Sequence, residues 1–257
     1  MLLLTGCAKP AAEPKTSGAA PDKPAAVKTE TAKAVPSGVP VLMYHSVGDE
    51  PDNEAVISPK LFAEHMRFLH QEGYQPISLE ELYGYLTEKK PLPLKPVVLT
   101  FDDGYRDTYE TVLPVLKKYG FKSTMFIPVA EIGRNLTLKE LQEMKAAGME
   151  IASHSLTHQD LSAMSPAQQA EEITKSKQEL DRLLAQDTRF FCYPYGTYNA
   201  ATLKILRENG FKLSVTINPG WVKPGDDPLI LTRVWMGNSV DLAHFAERVS
   251  RANYSIL

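Results

Sequence analysis

Cysteine is nearly absent: 257 residues hold two, Cys7 and Cys192. Only Cys192 falls in the part that reads as folded, so that part has no internal disulfide. A basic excess is absent too. The 28 Lys and Arg against 31 Asp and Glu leave a formal net charge of −3 and a pI of about 6.1, which argues against a nucleic-acid binder and its basic face. No apolar run is long enough to span a bilayer. Residues 8–38, "AKPAAEPKTSGAAPDKPAAVKTETAKAVPSG", lack any aromatic. Such a stretch cannot bury enough apolar surface to fold and reads as a disordered tether. The chain as a whole is 43% hydrophobic and 23% charged. That composition suits a soluble domain of about 220 residues, which can build a core without cross-links.

Ahead of the tether stands "MLLLTGC", a short apolar run ending in Cys7. It resembles the end of a bacterial lipoprotein signal, in which the cysteine becomes the lipidated first residue. The basic segment that usually opens such a signal is missing, as if the signal began further upstream. The alternative is an apolar start with a chance cysteine. Three regions are therefore expected: a partial lipoprotein signal over 1–7, a tether over 8–38 and a single catalytic domain over 39–257. The expected location is outside the cytoplasm, on the bacterial cell membrane, with a lipid anchor as the only membrane contact.

From Val39 onward, short apolar runs alternate with helical patterns. Strands are expected at 39–45, 97–101, 123–128, 149–153, 190–194, 213–217 and 229–234, with a short one near 75–77. Ser58-Pro59 places proline in the first helical turn. Ser78-x-x-Glu81, Thr137-x-x-Glu140 and Ser165-x-x-Gln168 fit the capping box. Four helix ends read Gly and then an apolar residue ahead of a strand: "EGYQPIS", "YGFKSTMF", "AGMEIAS" and "NGFKLSV". Repeated α-to-β joints imply a parallel sheet. Seven or eight strands in one domain favour a distorted (β/α)7–8 barrel over an open, doubly wound sheet. Either architecture puts the active site at the carboxyl ends of the strands.

That rule selects the chemistry. "VLTFDDGY" ends a buried run in two adjacent carboxylates, Asp102 and Asp103, whose repulsion something must offset. "SHSLTH" delivers His154 and His158, and "MYH" delivers His45, three of the six histidines in the chain. Two imidazoles and one carboxylate form a common zinc set that leaves room for water. If Asp103 binds the metal, its charge is neutralised and Asp102 stays free to act as a base. Gly104 would let the chain turn so that both carboxylates face one cavity. A turn with two solvated carboxylates is the plainer alternative.

"TFDDGY", "HSLTH" and "YPYG" together resemble the first three motifs of the polysaccharide deacetylases, the NodB-homology domain of carbohydrate esterase family 4. The similarity spans roughly residues 39–240. "PVLMYHSVGD" is similar to the subgroup that deacetylates poly-β-1,6-N-acetylglucosamine in biofilms. The resemblance implies Asp102 as general base, and Asp103, His154 and His158 as ligands of one divalent metal, zinc first and other transition metals after it. It implies Tyr195 as the donor of an oxyanion-binding N–H, with Pro194 and Tyr193 shaping the substrate groove.

Two departures stand out. Cys192 occupies the place of the arginine that usually pairs with the base, and no late Leu-x-His supplies a general acid. The resemblance to the biofilm subgroup, in which an N-terminal histidine serves as acid, implies His45 in that role, with a packed strand-end histidine as the alternative. Arg233 is expected either to orient Asp102 or to form a structural salt bridge. The expected activity is N-deacetylation of an N-acetylglucosamine-containing extracellular or cell-wall polysaccharide by a monomer. A carbohydrate-binding lipoprotein without catalysis and an esterase of small O-acetyl groups are the rival readings.

Overall fold

The computed structural model describes Leu2 and residues 36–256. Cys7 and the tether up to residue 35 lie outside the described residues. Chain order begins with Val41–Tyr44 (β1), followed by a small parallel pair, Ser46–Val47 (β2) and Val56–Ile57 (β3). Helix α1 (Pro59–Gln71), strand β4 (Gln75–Pro76) and helix α2 (Leu79–Glu88) lead to β5 (Pro96–Phe101). Then α3 (Leu113–Tyr119), β6 (Ser123–Ile127), α4 (Leu138–Ala146), β7 (Met149–Ser153) and α5 (Pro166–Leu184) alternate. The chain continues through β8 (Phe190–Cys192), α6 (Ala200–Glu208), β9 (Leu213–Pro219), β10 (Leu231–Trp235) and α7 (Leu242–Ser250).

Seven of these strands close a ring. In order they are β1, β10, β9, β8, β7, β6 and β5, every pairing parallel, and β1 returns to β5 with Val41 opposite Val98 through Tyr44 opposite Phe101. The short strand expected near 75–77 is β4, which pairs with the first residues of β5 and is not part of the ring. The architecture is a closed seven-stranded parallel barrel with helices outside, so the open sheet is ruled out.

Side-chain alternation splits the core into two layers. Val41, Val98, Phe126, Ala152, Cys192, Val215 and Leu231 pack together inside the barrel. Their neighbours Leu42, Leu99, Met125 and Ile151 face the helices, against Phe62, Met66, Leu116 and Met144. Each fully buried Leu, Ile or Phe contributes roughly 1.5–3 kcal/mol, so a core of this size holds without a disulfide.

Helix starts follow the sequence. Ser78, Thr137 and Ser165 each form a reciprocal capping box, and Ser58 accepts from Leu61 N–H. A cap of this kind is worth about 1 kcal/mol. The four glycines at the expected helix-to-strand joints all have positive φ. Caps at Asn199 and Asp241, and the π-turn over Thr108–Val112, are additions to the sequence reading. That π-turn runs into Pro114, which has no N–H to continue a regular α-helical ladder.

Candidate active site

The carboxyl ends of the seven ring strands open on one mouth of the barrel. On β5, alternation turns Val98, Thr100 and Asp102 inward, and Asp102 is 2% exposed. Asp103 would then point outward, but it adopts φ 70 and Gly104 follows with φ 66. The turn therefore starts at Asp103 itself, one residue earlier than Gly104, and Asp is among the few residues that tolerate it. Gly104 is required for a second reason: a Cβ there would sit 2.6 Å from the Ile127 side chain. Among the described residues, four of the seven non-glycine residues with positive φ, Asp103, Ser155, His158 and Tyr195, gather at this mouth. Such backbone strain clusters at sites that need a set geometry.

His154 Nε2 lies 3.3 Å and His158 Nε2 3.2 Å from Asp103 Oδ1. His154 Nδ1 donates to the Cys192 carbonyl at 2.8 Å, because a carbonyl can only accept. In the neutral ring the Nε2 lone pair then faces the Asp103 oxygen, an approach that needs a proton or a cation between them. Zinc ligands held at about 2.0–2.1 Å with tetrahedral angles sit about 3.3 Å apart. The three side chains thus fit a catalytic zinc set. Burial alone would raise the Asp103 carboxyl, but its hydrogen bonds with His154 and His158 hold it well below the ordinary range. The same contact raises His158 above 6.5, against the effect of burial.

Asp102 has a different partner. Arg233 Nη1 and Nη2 grip its two oxygens at 2.8 and 2.7 Å, and the guanidinium is fully buried. Arg233 Nε donates to the Thr216 carbonyl at 2.8 Å, and Nη2 lies 3.2 Å from Cys192 Sγ. A register shift between Leu231 and Arg233 along β9 marks this stretch of β10 as irregular, the kind of local bend that re-aims a side chain. The guanidinium from β10 therefore reaches the space that Cys192 on β8 leaves small. The repulsion between neighbouring aspartates is offset twice: by Arg233 on Asp102, and by the histidines on Asp103. Asp102, His154 and Cys192 also converge closely enough to suggest a metal set. A cation among them would meet the fixed charge of Arg233, so the Asp103 set is the better one.

His45 follows β1, with Nε2 3.9 Å from Asp102 Oδ2 and its ring 5.1 Å from that of Trp235. Burial lowers its pKa from 6.5, with Asp102 and Asp103 pulling the other way. Tyr195 is 59% exposed, its ring 4.8 Å from that of His158. Tyr193 does not reach the mouth. Its ring is buried among Phe191 and the α6 side chains, and its hydroxyl donates to the Leu229 carbonyl at 2.7 Å. It shares the helix-facing side of β8 with Phe191, which is why the groove role expected for it fails. Pro194 is buried in the turn that presents Tyr195.

One residue with a bearing on the site escaped the sequence reading. Glu172 of α5 accepts from Leu156 N–H at 3.0 Å, Thr157 N–H at 2.9 Å and Thr157 Oγ at 2.6 Å. It pins the backbone between the two histidines. A carboxylate falling inside the buried stripe Gln169, Ile173, Ser176, Leu180 was the available signal.

The comparisons with known proteins agree with this geometry. The family model described as polysaccharide deacetylase matches residues 89–214, from just before β5 into β9. The protein YxkH of Bacillus subtilis, whose name assigns it to the polysaccharide deacetylases, is 40% identical over 201 residues, 77% of this chain and 70% of its own. The poly-β-1,6-N-acetyl-D-glucosamine N-deacetylase of Staphylococcus epidermidis is 29% identical over 71% of this chain and 68% of its own. The solved Streptococcus pyogenes deacetylase PplD, in complex with acetate, superposes with a TM-score of 0.80 at 34% identity, covering 84% of this chain and all of that one. A shared barrel, and a matched segment that carries both aspartates and both histidines, place this chain in the polysaccharide deacetylase family, hydrolases of the amide bonds of acetylated sugars.

Proposed function

We propose that the chain is a metal-dependent N-deacetylase of N-acetylglucosamine units in an extracellular or cell-wall polysaccharide. One observation carries this reading: the Asp103–His154–His158 set and the Arg233-held Asp102 face the same mouth. Similarity to the Staphylococcus epidermidis N-deacetylase supports the choice of sugar.

Asp103, His154 and His158 would hold the ion, zinc by donor type, which when bound polarises an amide carbonyl and lowers the pKa of water. Asp102 accepts the proton as water attacks the acetyl carbon. Arg233 fixes the angle of that carboxylate and keeps it ionised at neutral pH. The Tyr195 N–H donates to the developing oxyanion, a contact worth about 3–4 kcal/mol in comparable sites. His45 delivers a proton to the departing nitrogen as the C–N bond breaks, leaving acetate and a free amine. The exposed rings of Tyr195 and Tyr105 flank the opening, where a sugar can stack. The rival without catalysis rests on the missing motif-three arginine and the missing late histidine; the Arg233–Asp102 pair and His45 beside it weigh against that rival.

Acetate release from β-1,4 and β-1,6 N-acetylglucosamine oligomers, from peptidoglycan and from an aryl acetate tests the reading. Release from at least one amide polymer, lost on chelation, is expected. Release from the aryl ester alone would make the protein an O-esterase. In the same assay His45→Ala is expected to lose at least about tenfold in kcat on the amide, the low side of the usual acid–base contribution. The aryl ester, whose leaving group needs no proton, should lose much less. Equal losses on both would make His45 structural.

The lipoprotein reading of Cys7 places the enzyme on the outer face of the cell membrane by an acyl anchor. Cys7→Ser should then move the protein from the membrane to the soluble fraction, and an unchanged membrane fraction would refute the anchor.

A further inference from the structure

Beside the catalytic mouth lies a cavity of about 340 Å³. His45 and Arg233, both neighbours of Asp102, form one wall, and Trp235, Ile217, Tyr254 and Arg248 are among the residues that form the rest. Most of that lining is apolar, and two guanidiniums reach it. Arg233 is committed to Asp102, Thr216 and Cys192. Arg248 is not.

Arg248 stands on α7 and is 4% exposed, and among the described residues its side chain makes one hydrogen bond, from Nη1 to the Trp235 carbonyl at 2.6 Å. Its Nε is buried without a partner, and no carboxylate among the described residues lies within 4 Å of its nitrogens. Tyr254 packs against it with the ring centroid 5.7 Å from Cζ. Glu54, the acid whose field reaches it from across the barrel rim, is occupied by Trp235 Nε1 and by Ser239 N–H and Oγ. Glu247, its neighbour on α7, reaches it through its field alone. Burial pushes the guanidinium pKa down, as expected for a cation that has given up water without gaining a counter-charge. Buried charges are ordinarily paired. A cation that has no counter-charge among the described residues, set along an apolar cavity, is an incomplete anion site.

The geometry points to this cavity as a subsite for an anionic substituent, a carboxylate or a phosphate, carried by the glycan next to the acetamido group being cleaved. The inference rests on the deacetylase reading above, because the cavity shares His45 and Arg233 with that site. Arg248 would supply charge-assisted hydrogen bonds from Nε and the free edge of its fork, and Trp235 and Ile217 would cover the sugar face beside them.

The test compares four N-acetylglucosamine oligomers: neutral, bearing a carboxylate ether on one sugar, bearing the methyl ester of that group, and bearing a phosphate. Acetate release from the acid or the phosphate oligomer should show a KM at least about tenfold below that of the methyl ester, the size of a charge-assisted contact. In Arg248→Gln the ester-to-acid KM ratio should fall to about one, while Arg248→Lys should keep part of the preference. Comparing the carboxylate and phosphate arms identifies which anion the site takes. Equal KM for acid and ester in the wild type, or a preference that survives Arg248→Gln, would overturn the subsite. Should Arg248→Gln fail to fold, the wild-type comparison decides alone, and raised salt must erode the preference for the subsite to stand. Acetate released without charge preference overturns only this inference. No release from any oligomer overturns the deacetylase reading, and the subsite with it.

Discussion

Asp102→Asn is expected to lower kcat for acetate release by about 10²–10⁴-fold while the metal stays in place. Asparagine keeps the shape of the side chain and cannot accept the proton. It would also leave the fully buried Arg233 without its counter-charge. Breaking one side of a buried pair costs about 3–5 kcal/mol, so the melting temperature should fall as well. The two effects separate by metal content: a folded variant that binds metal and does not turn over isolates the base. Stability should also change its pH dependence. Burial would raise the Asp102 carboxyl, but Arg233 outweighs it and holds the pKa below the ordinary value of about 3.9. A carboxyl depressed on folding adds stability above its unfolded pKa and loses it as pH falls through the folded one. The wild type should therefore lose stability below about pH 4 more steeply than Asp102→Asn. Loss of metal in Asp102→Asn, but not in Asp103→Asn, would mean that the two roles are exchanged.

Asp103→Ala is expected to abolish metal binding and, with it, turnover. Two imidazoles remain, but the charge that neutralises the cation and the third ligand both go. The loss of affinity should exceed the 10–100-fold typical of changes beyond the direct ligands. Protons compete at the same site. His158 is raised above 6.5 by Asp103, so its ligand lone pair is protonated more readily. Metal affinity in the wild type should accordingly fall as pH drops through that raised value and recover above it. Metal analysis of both proteins, purified alike, checks this; equal metal content in wild type and Asp103→Ala would show the site to be misassigned.

Much of this was legible in the chain because its signals are local. Apolar runs bounded by glycine marked the strands, and capping boxes marked three helix starts to the residue. The strand-end rule then picked out Asp102, Asp103, His154, His158 and His45 without any distance in hand. Two further strands of two residues, β2 and β3, were too short to leave a periodic signal. Tyr193 was misplaced although the information was present: Phe190 and Cys192 face inward, so Phe191 and Tyr193 must face the helices. Arg233 drew attention by its place at a strand end. Only the closed ring, which brings β10 beside β1 and across from β5, explains why it can replace an arginine missing from β8. Arg248 left no mark in the sequence. It is one cation on an amphipathic helix, and its isolation is set by residues up to nearly two hundred positions away.

The most direct test of the account is a zinc titration of metal-free protein, read as acetate release from an N-acetylglucosamine oligomer. Activity should be absent at the start, rise with added zinc and level off at one equivalent per chain. Full activity without metal, or none at any metal content while Asp103, His154 and His158 bind the ion, would contradict it.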